Sequence, residues 1–259
     1  MRVTILGAGS SGGTPLIGVG WGDCAPENPR NRRTRPSILI EQDETVILVD
    51  TSPDLREQLL RADVQRLDAV LYTHAHADHL HGIDDLRAIN RAHSTDIPIY
   101  LDAPTLREIE TRFGYVLTPL PDGTDFYFKP VLAPNLIRAG DTFAVNGIEI
   151  TCFDQDHGVA GRTLGFRIGG FAYTTDAVEL PDEAFDALRG LDTWVVGALG
   201  SAEHPTHAHV DKAVAWIERA GPRCGVISHM SHRLDYAKLA ASLPPNIEPA
   251  YDGMVLEIS

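Results

Sequence analysis

The sequence predicts one α/β domain that spans residues 1–259, and three observations support this fold class. Short apolar runs typical of buried strands alternate with segments of helical spacing along the chain. Histidines and aspartates directly follow several of these runs, as expected where strand ends meet at one edge of a sheet. A length of 259 residues is sufficient for one large core, and no internal repeat interrupts the pattern.

Apolar alternation, turn residues and capping residues predict the order of the elements. A glycine-rich turn at residues 7–15 lacks the Gly-Lys-Ser/Thr of a phosphate-binding loop, so we interpret it as a turn that lines the site. Ser52 and Pro53 are typical of a helix start. Residues 115–139, rich in Pro and Gly, are predicted as a loop insertion beside the pocket. Strands are predicted at residues 2–6, 37–41, 45–50, 67–72, 97–101, 143–153 with a turn at Asn146-Gly147, 165–168, 171–174, 193–197 and 224–228, and helices at residues 53–62, 82–92, 104–112 and 210–220.

Composition disfavours several classes of protein. With 22 Lys and Arg against 36 Asp and Glu, the formal net charge is −14, which disfavours stable binding to nucleic acid. The cysteines Cys24, Cys152 and Cys224 are too few for a disulfide framework and fit a reducing compartment. The N-terminus lacks the apolar segment of a signal peptide, and no apolar run approaches the length of a membrane span. We therefore expect a cytoplasmic protein without membrane association.

The densest group of candidate metal ligands follows the strand predicted at residues 67–72. His74 and His76 are two residues apart, so both project to one side of an extended chain and can bind one ion. Asp78 and His79 follow in the first turn of the next helix, where they can hold a second ion. A His-x-His-x-Asp-His pattern at a strand end is a specific signal of a metal site, and a histidine-rich surface turn is the alternative.

Further candidates follow other strands. Asp50 ends the strand at residues 45–50, where it meets the site. Nitrogen and carboxylate ligands suit Zn, Mn or Fe, and the absence of cysteine from the set argues for catalysis over a structural zinc site. A water bound between two such ions loses its proton near neutral pH and becomes the nucleophile. The expected division is His74, His76 and His157 on the first ion, Asp78, His79 and His229 on the second, and Asp176 bridging both.

These motifs together resemble the metallo-β-lactamase superfamily. The resemblance rests on Asp50, the His-x-His-x-Asp-His motif, His157, Asp176 and His229, in that order, and covers nearly the whole chain. It implies an αββα sandwich, in which two mixed sheets are flanked by helices and a dinuclear site lies on one edge. It also implies two divalent ions per chain, with Zn or Mn expected.

Other segments are similar to one branch of the superfamily, which contains phosphoribosyl cyclic phosphate phosphodiesterases, with ribonuclease Z as a more distant relative. In that branch, the histidine that matches His207 lies near the scissile phosphate and is thought to act as the general acid. Asp78 is the second candidate catalytic residue. The similar segments are residues 7–15, 50–56, 84–87, 205–207 and 228–232.

One part of the sequence departs from this branch, whose phosphonate enzyme carries a separate structural zinc bound by three cysteines and a histidine. Of those four ligands only Cys24 and His232 are present, so the resemblance predicts that this zinc is absent. We interpret His232 as a hydrogen-bonded residue at the edge of the site. Four arginines within residues 30–35 leave two interpretations open, an anion pocket or a solvated loop that balances surface carboxylates.

These observations favour a phosphodiesterase that acts on a small or cyclic phosphodiester, such as a nucleotide or a ribose cyclic phosphate, with His207 as the general acid. Ribonuclease Z-like processing of RNA 3′ ends is an alternative that the net charge disfavours. Thioester or lactone hydrolysis at the same site is another, and a non-enzymatic module that binds metal or nucleotide is a third. By analogy with similar superfamily members, a homodimer is also expected.

Overall fold

The computed structural model describes residues 1–124 and 126–259, and its strands form two seven-stranded sheets. The first sheet contains β1 (Arg2–Gly7), β2 (Ser37–Gln42), β3 (Thr45–Val49), β4 (Ala69–Leu71), β5 (Ile97–Leu101), β6 (Leu132–Leu136) and β14 (Met254–Glu257). The second contains β7 (Thr142–Val145), β8 (Ile148–Asp156), β9 (Arg162–Ile168), β10 (Phe171–Thr174), β11 (Thr193–Gly197), β12 (Cys224–Ser228) and β13 (Ile247–Pro249).

Both sheets are mixed, and their strand directions explain where the site forms. The first sheet has the order β14-β1-β2-β3-β4-β5-β6, and its strands from β3 to β6 are parallel. The second has the order β13-β12-β11-β10-β9-β8-β7, and its strands from β10 to β13 are parallel. Parallel neighbours end at the same edge of a sheet. The residues that follow β3 and β4 therefore lie together, as do those that follow β10 and β12.

Helices cover the sheets, and one buried layer of side chains lies between them. Ile38 and Ile40 of β2 belong to the same core cluster as Phe166 of the second sheet, whereas Leu39 between them packs with Leu55 on the other face. The predicted αββα sandwich is confirmed. The helices are α1 (Leu55–Arg61), α2 (Ala77–Leu80), α3 (Arg87–His93), α4 (Ala103–Phe113), α5 (Asp182–Ala187), α6 (Val210–Ala220) and α7 (Tyr236–Ser242).

The first helix begins later than its sequence predicts. Ser52 lies in a turn that precedes α1, where its hydroxyl accepts a hydrogen bond from the amide of Asp54, and Asp54 occupies the N-cap position. Asp54 itself accepts from the backbone amide of Arg35 at 2.8 Å and pairs with its guanidinium at 2.9 Å. The turn is closed by a hydrogen bond from the amide of Leu55 to the carbonyl of Ser52 at 2.9 Å, and α1 starts at Leu55.

Two further segments differ from prediction. Residues 115–139 were predicted as a loop insertion, but β6 lies within them and pairs in parallel with β5 at the edge of the first sheet. Pro134 obscures this strand in the sequence, although an edge strand tolerates proline. Asp125, in the same segment, lies outside the described residues. The helix predicted at residues 82–92 is a 3-10 turn, Ile83–Leu86, followed by α3.

The last part of the chain, which carries no predicted element beyond β12, contributes α7, β13 and β14. Of these, β14 pairs antiparallel with β1 and completes the first sheet. Among the helices of residues 1–124 and 126–259, none combines the length and apolarity that a membrane span requires.

Candidate metal centre

Three candidate site residues, of which Asp176 and His229 are candidate ligands, follow strands with their backbone in the left-handed region. Asp50, Asp176 and His229 have φ values of 63°, 50° and 55°. Non-glycine residues rarely adopt this conformation, and it persists where surrounding contacts enforce it, commonly at functional sites. Each residue lies one or two positions beyond the end of β3, β10 or β12. The sharp turn of the chain at these positions directs the side chains into one buried site.

The segment after β4 provides four more candidates, which are His74, His76, Asp78 and His79. His74 follows Thr73, whose hydroxyl lies 3.0 Å from His74 Nδ1 and also donates to Asp50 Oδ2 at 2.8 Å. The four-residue helix α2 then places Asp78 and His79, both buried, towards the same point.

The candidate ligands form two clusters, as the sequence predicts. In each cluster one ligand atom per residue lies within 4.8 Å of the others. We call them the first cluster and the second cluster. The first comprises His74, His76, His157 and Asp176, and the second comprises Asp78, His79, Asp176 and His229.

Asp176 lies between the two clusters and presents one carboxylate oxygen to each. Its Oδ2 atom is 3.5 Å from His74 Nε2 and 3.5 Å from His157 Nε2. Its Oδ1 atom is 3.3 Å from His79 Nε2 and 3.0 Å from His229 Nε2. Asp176 could therefore contribute one oxygen to a cation in each cluster.

The donor atoms are suited to a divalent cation. Within the described part of the chain, several buried ligand atoms lack a hydrogen-bond partner, although they face one another across the site. Buried polar atoms are normally hydrogen-bonded. Several nitrogen and oxygen atoms that lack such a partner and point to one place are typical of a metal site. These atoms are His74 Nε2, Asp78 Oδ2, His79 Nε2 and His229 Nε2.

Residues behind the ligands orient two of the imidazoles. His157 Nδ1 donates to the carbonyl oxygen of Thr206 at 2.7 Å, which leaves Nε2 unprotonated and directed at Asp176. His79 Nδ1 lies 2.6 Å from Asp50 Oδ2, and both side chains are fully buried. Such partners fix the tautomer and rotation of a metal-binding histidine. Asp50 is therefore placed to orient His79, while the contribution of Thr206 had no signal in the sequence.

The protonation tendencies of the ligands differ between the clusters. Burial, aided by the charge of His79, lowers the pKa of His74 well below its usual value and favours the neutral form that binds metals. Burial alone would raise the pKa of Asp176, but His229 and His79 hold it well below its usual range. As at His74, burial by itself would lower the pKa of His229, yet the nearby Asp176 raises this pKa to about 9.

His207 lies next to the carboxylate of Asp176. Its Nε2 atom is 3.3 Å from Asp176 Oδ2, and its ring stacks on that of His229 at a centroid distance of 5.0 Å. The hydroxyl of Thr206 lies 2.7 Å from His207 Nδ1, and His204 Nδ1 lies 3.3 Å from the same atom. His204 therefore lies beside His207, next to the site.

The four arginines within residues 30–35 have separate partners and do not form a shared anion pocket. The solvated-loop interpretation holds only in part, because Arg33 is buried with 2% exposure. The partners are Tyr236 and Tyr251 for Arg30, Trp21 for Arg32, backbone carbonyls and sulfur atoms for Arg33, and Asp54 for Arg35.

His232 contributes to the site edge through its backbone. Its carbonyl oxygen accepts from the amide of Asp23 at 3.0 Å and from Cys24 Sγ at 3.3 Å. Its ring packs against Gly22, which has φ 57°, and a Cβ atom there would lie 2.3 Å from the ring. The predicted hydrogen-bonding role therefore belongs to the carbonyl and not to the imidazole.

The remaining histidines and cysteines lie outside both clusters. His81 contacts the ring edge of Phe113, and His93 Nε2 lies 2.7 Å from the carbonyl of Gln65. His209 precedes α6 as its N-terminal boundary residue. Cys152 is buried, and Cys224 is partly buried.

Comparison with known proteins agrees with this geometry. The family model for the beta-lactamase superfamily domain matches residues 45–230, which include both clusters. The chain belongs to the metallo-β-lactamase superfamily. Its membership and its two His/Asp clusters together indicate a divalent-metal site.

Several known proteins are similar to the chain. A crystal structure of a new diphosphatase from the PhnP family is 33% identical, with a TM-score of 0.89, over 100% of this chain and 98% of that one. An octanoyltransferase of Porphyromonas gingivalis is 34% identical over 98% of this chain and 51% of its own length. A ribonuclease Z of Listeria welshimeri is 27% identical over 59% of this chain and 48% of its own. The chain thus spans about half the length of the curated relatives it matches.

Replacement of Asp50 by asparagine tests how His79 is oriented. The amide keeps the size of the side chain but not its charge, so we expect metal affinity at the second cluster to fall about 10- to 100-fold. Calorimetric titration of the metal-free protein with Zn²⁺ measures the effect. Asp68→Asn is the control, because Asp68 pairs with the half-exposed Arg66 away from the site. Equal affinities in the two variants would contradict the role of Asp50.

Proposed function

We propose that the protein is a metal-dependent hydrolase, and specifically a phosphodiesterase that acts on a small or cyclic phosphodiester such as a nucleotide or a ribose cyclic phosphate. The observation on which this rests is the position of His207. Its Nε2 atom lies 3.3 Å from the carboxylate that joins the two clusters, although His207 belongs to neither of them. An imidazole so placed can protonate a leaving oxygen.

The seven clustered residues would hold two divalent ions, with Zn or Mn the expected metals. Once bound, such ions offset charge on a phosphoryl group and lower the pKa of water. Asp176 keeps the two sites at a common centre because each of its oxygens faces one cluster. Asp78, the other candidate catalytic residue, faces His79 and His229 at 3.4 and 3.5 Å and would help to hold the second ion.

The proton of the leaving group would come from His207. The acid would be the imidazolium form of His207, in which Nδ1–H donates to the hydroxyl of Thr206 and Nε2–H faces the site. After the proton is transferred to the leaving oxygen, a neutral imidazole remains. The carbonyl of the same threonine holds His157. Thr206 therefore couples the orientation of a metal ligand to that of the acid.

A small substrate fits the electrostatics of the chain. A formal charge of −14 repels long polyanions, whereas a single phosphodiester can be held by the metal centre itself. The 33% identical diphosphatase supports cleavage at phosphorus. We treat residues 1–259 as one domain, because both sheets contribute side chains to one core cluster.

Processing of RNA 3′ ends is the second candidate function. The similarity to ribonuclease Z over 59% of the chain favours it, and the net charge disfavours it. The octanoyltransferase relative raises acyl chemistry as a further candidate, but this chain matches only 51% of that protein.

A metal-reconstitution assay tests the reaction class. Metal-stripped protein, loaded with Mn²⁺ or Zn²⁺, is assayed on bis(p-nitrophenyl) phosphate, on a p-nitrophenyl acyl ester and on a thioester. We expect metal-dependent turnover of the phosphodiester at least about a hundredfold above that of the stripped protein, because the ions supply several kcal/mol of charge stabilisation. Turnover of the acyl substrates alone would refute the proposal, and a steep salt dependence of tRNA binding would favour the RNA alternative.

A further inference from the structure

The geometry points to Arg33 as a positioning residue for the second cluster. We propose that its buried guanidinium clamps the segment that follows His229, and so holds this ligand in the conformation that the second ion requires. The inference rests on the proposed metal centre. It concerns a residue that lies outside both clusters.

The guanidinium of Arg33 is enclosed by the segment from Met230 to Leu234. Its Nη2 atom donates to the carbonyls of Leu234 at 2.8 Å and Ser231 at 3.2 Å, and lies 3.1 Å from Cys24 Sγ. Its Nη1 atom lies 3.4 Å from Met230 Sδ. Arg33 is only 2% exposed, so these contacts replace water as partners of its two Nη atoms, whereas its Nε atom has no hydrogen-bond partner in the described part of the chain. A buried charge costs free energy unless hydrogen bonds compensate it. The segment from Met230 to Leu234 must therefore keep its present conformation for the guanidinium to remain hydrogen-bonded.

The backbone of Arg33 reaches the same segment by a second route. Its amide and carbonyl pair with Thr14 at 2.9 and 2.8 Å, which anchors the glycine-rich turn. In that turn the carbonyl of Ala8 accepts from the amide of Met230 at 2.9 Å, and the amide of Ser10 donates to the carbonyl of Met230 at 3.1 Å. Met230, the residue after His229, is therefore held both by backbone hydrogen bonds to the glycine-rich turn and by the guanidinium of Arg33.

The close approach of the glycine-rich turn to the segment at Arg33 and Thr34 depends on Gly9. A Cβ atom there would lie 2.8 Å from the carbonyl oxygen of Thr34 and 3.0 Å from that of Arg33. The absence of a side chain lets the turn lie directly on the Arg33 segment. The glycine-rich turn thus serves the site through backbone contacts.

His229 needs such a clamp because its φ of 55° is unfavourable for a histidine. If the segment after it relaxes, the residue can return to an ordinary conformation and withdraw its imidazole from Asp176. The first cluster takes its histidines from the segments after β4 and β8, away from this loop. Loss of the clamp should therefore weaken the second cluster selectively.

Arg33→Lys is the decisive variant. Lysine keeps the positive charge, but its single ammonium cannot reproduce the planar fork that joins Leu234, Ser231 and Cys24. Arg30→Lys is the matched control, because Arg30 lies three residues earlier and stacks on Tyr236 and Tyr251 without contacting the clamped segment.

The experiment titrates the metal-free variants with Zn²⁺ by calorimetry, with thermal unfolding as the check on folding. We expect the wild type and R30K to bind two ions per chain. In R33K, we expect the affinity of the first cluster to stay at its wild-type value and that of the second cluster to fall about tenfold. A folded R33K with both affinities unchanged, or with both reduced equally, would overturn the inference.

A milder variant covers the case in which R33K does not fold. Cys24→Ala removes one partner of the guanidinium and should weaken the second ion about threefold, in line with the smaller change to the clamp. An unchanged second affinity in C24A would then overturn the inference. Failure of the proposed metal centre itself is recognised separately, because the wild type would bind fewer than two ions.

Discussion

Asp176→Asn should abolish metal-dependent phosphodiester hydrolysis and reduce the metal content to at most one tightly bound ion per chain. The reason is the position of the carboxylate, whose two oxygens face His74 and His157 on one side and His79 and His229 on the other. An amide has one weakly basic oxygen and one nitrogen that cannot bind a cation. Loss of several kcal/mol of stabilisation predicts a fall in kcat of about a thousandfold or more.

Metal analysis and turnover of bis(p-nitrophenyl) phosphate measure this effect together. Asp154→Asn is the control, since Asp154 lies on β8 near the site but pairs with Arg162 at the surface. We expect D154N to resemble the wild type in metal content and turnover. If D176N bound two ions with unchanged affinity and kept its activity, the bridging role would be wrong.

His207→Gln should slow hydrolysis in a manner that depends on the leaving group. A 2′,3′-cyclic nucleotide releases an alkoxide that needs a proton, so we expect kcat to fall about 100- to 1,000-fold without the general acid. Bis(p-nitrophenyl) phosphate releases a stable phenolate, so its turnover should fall less than about tenfold. The contrast arises because His207 Nε2 faces the centre but belongs to neither cluster.

Two measurements separate this role from a structural one. The metal content of H207Q should remain two ions per chain, and His209→Gln should have little effect on either substrate, because His209 lies two residues away at the start of α6. An equal loss of turnover on both substrates would indicate that His207 acts on metal binding or on the nucleophile and not on the leaving group.

The elements near the site were the most predictable from sequence, because their signals are local. An apolar run followed by Asp50, His74 or His229 shows both a buried strand and its end, and the structure places strands at these positions. The amphipathic pattern and Gly221 likewise predicted α6 with the bounds that the structure has. Local sequence is sufficient where burial periodicity and a terminating residue agree.

The misassigned elements depend on contacts between distant segments. The strand β6 contains a proline and forms because it adds to the edge of a sheet beside β5. The turn before α1 is joined to Arg35, which binds Asp54 nineteen positions away. Neither contact has a periodic signal within its own segment, so the sequence did not predict these features.

The sequence by itself determined the superfamily, the αββα architecture and the identity of the candidate ligands. The first two follow from the resemblance of its motifs to that superfamily, and the third follows from residue types and from their positions after strands. Only the tertiary structure decided which oxygen of Asp176 faces which cluster, that Thr206 orients both His157 and His207, and that Arg33 is buried against the segment after His229. The physical reason is that hydrogen-bond direction and burial are properties of chain segments brought together by folding, and a linear pattern of residues does not contain them.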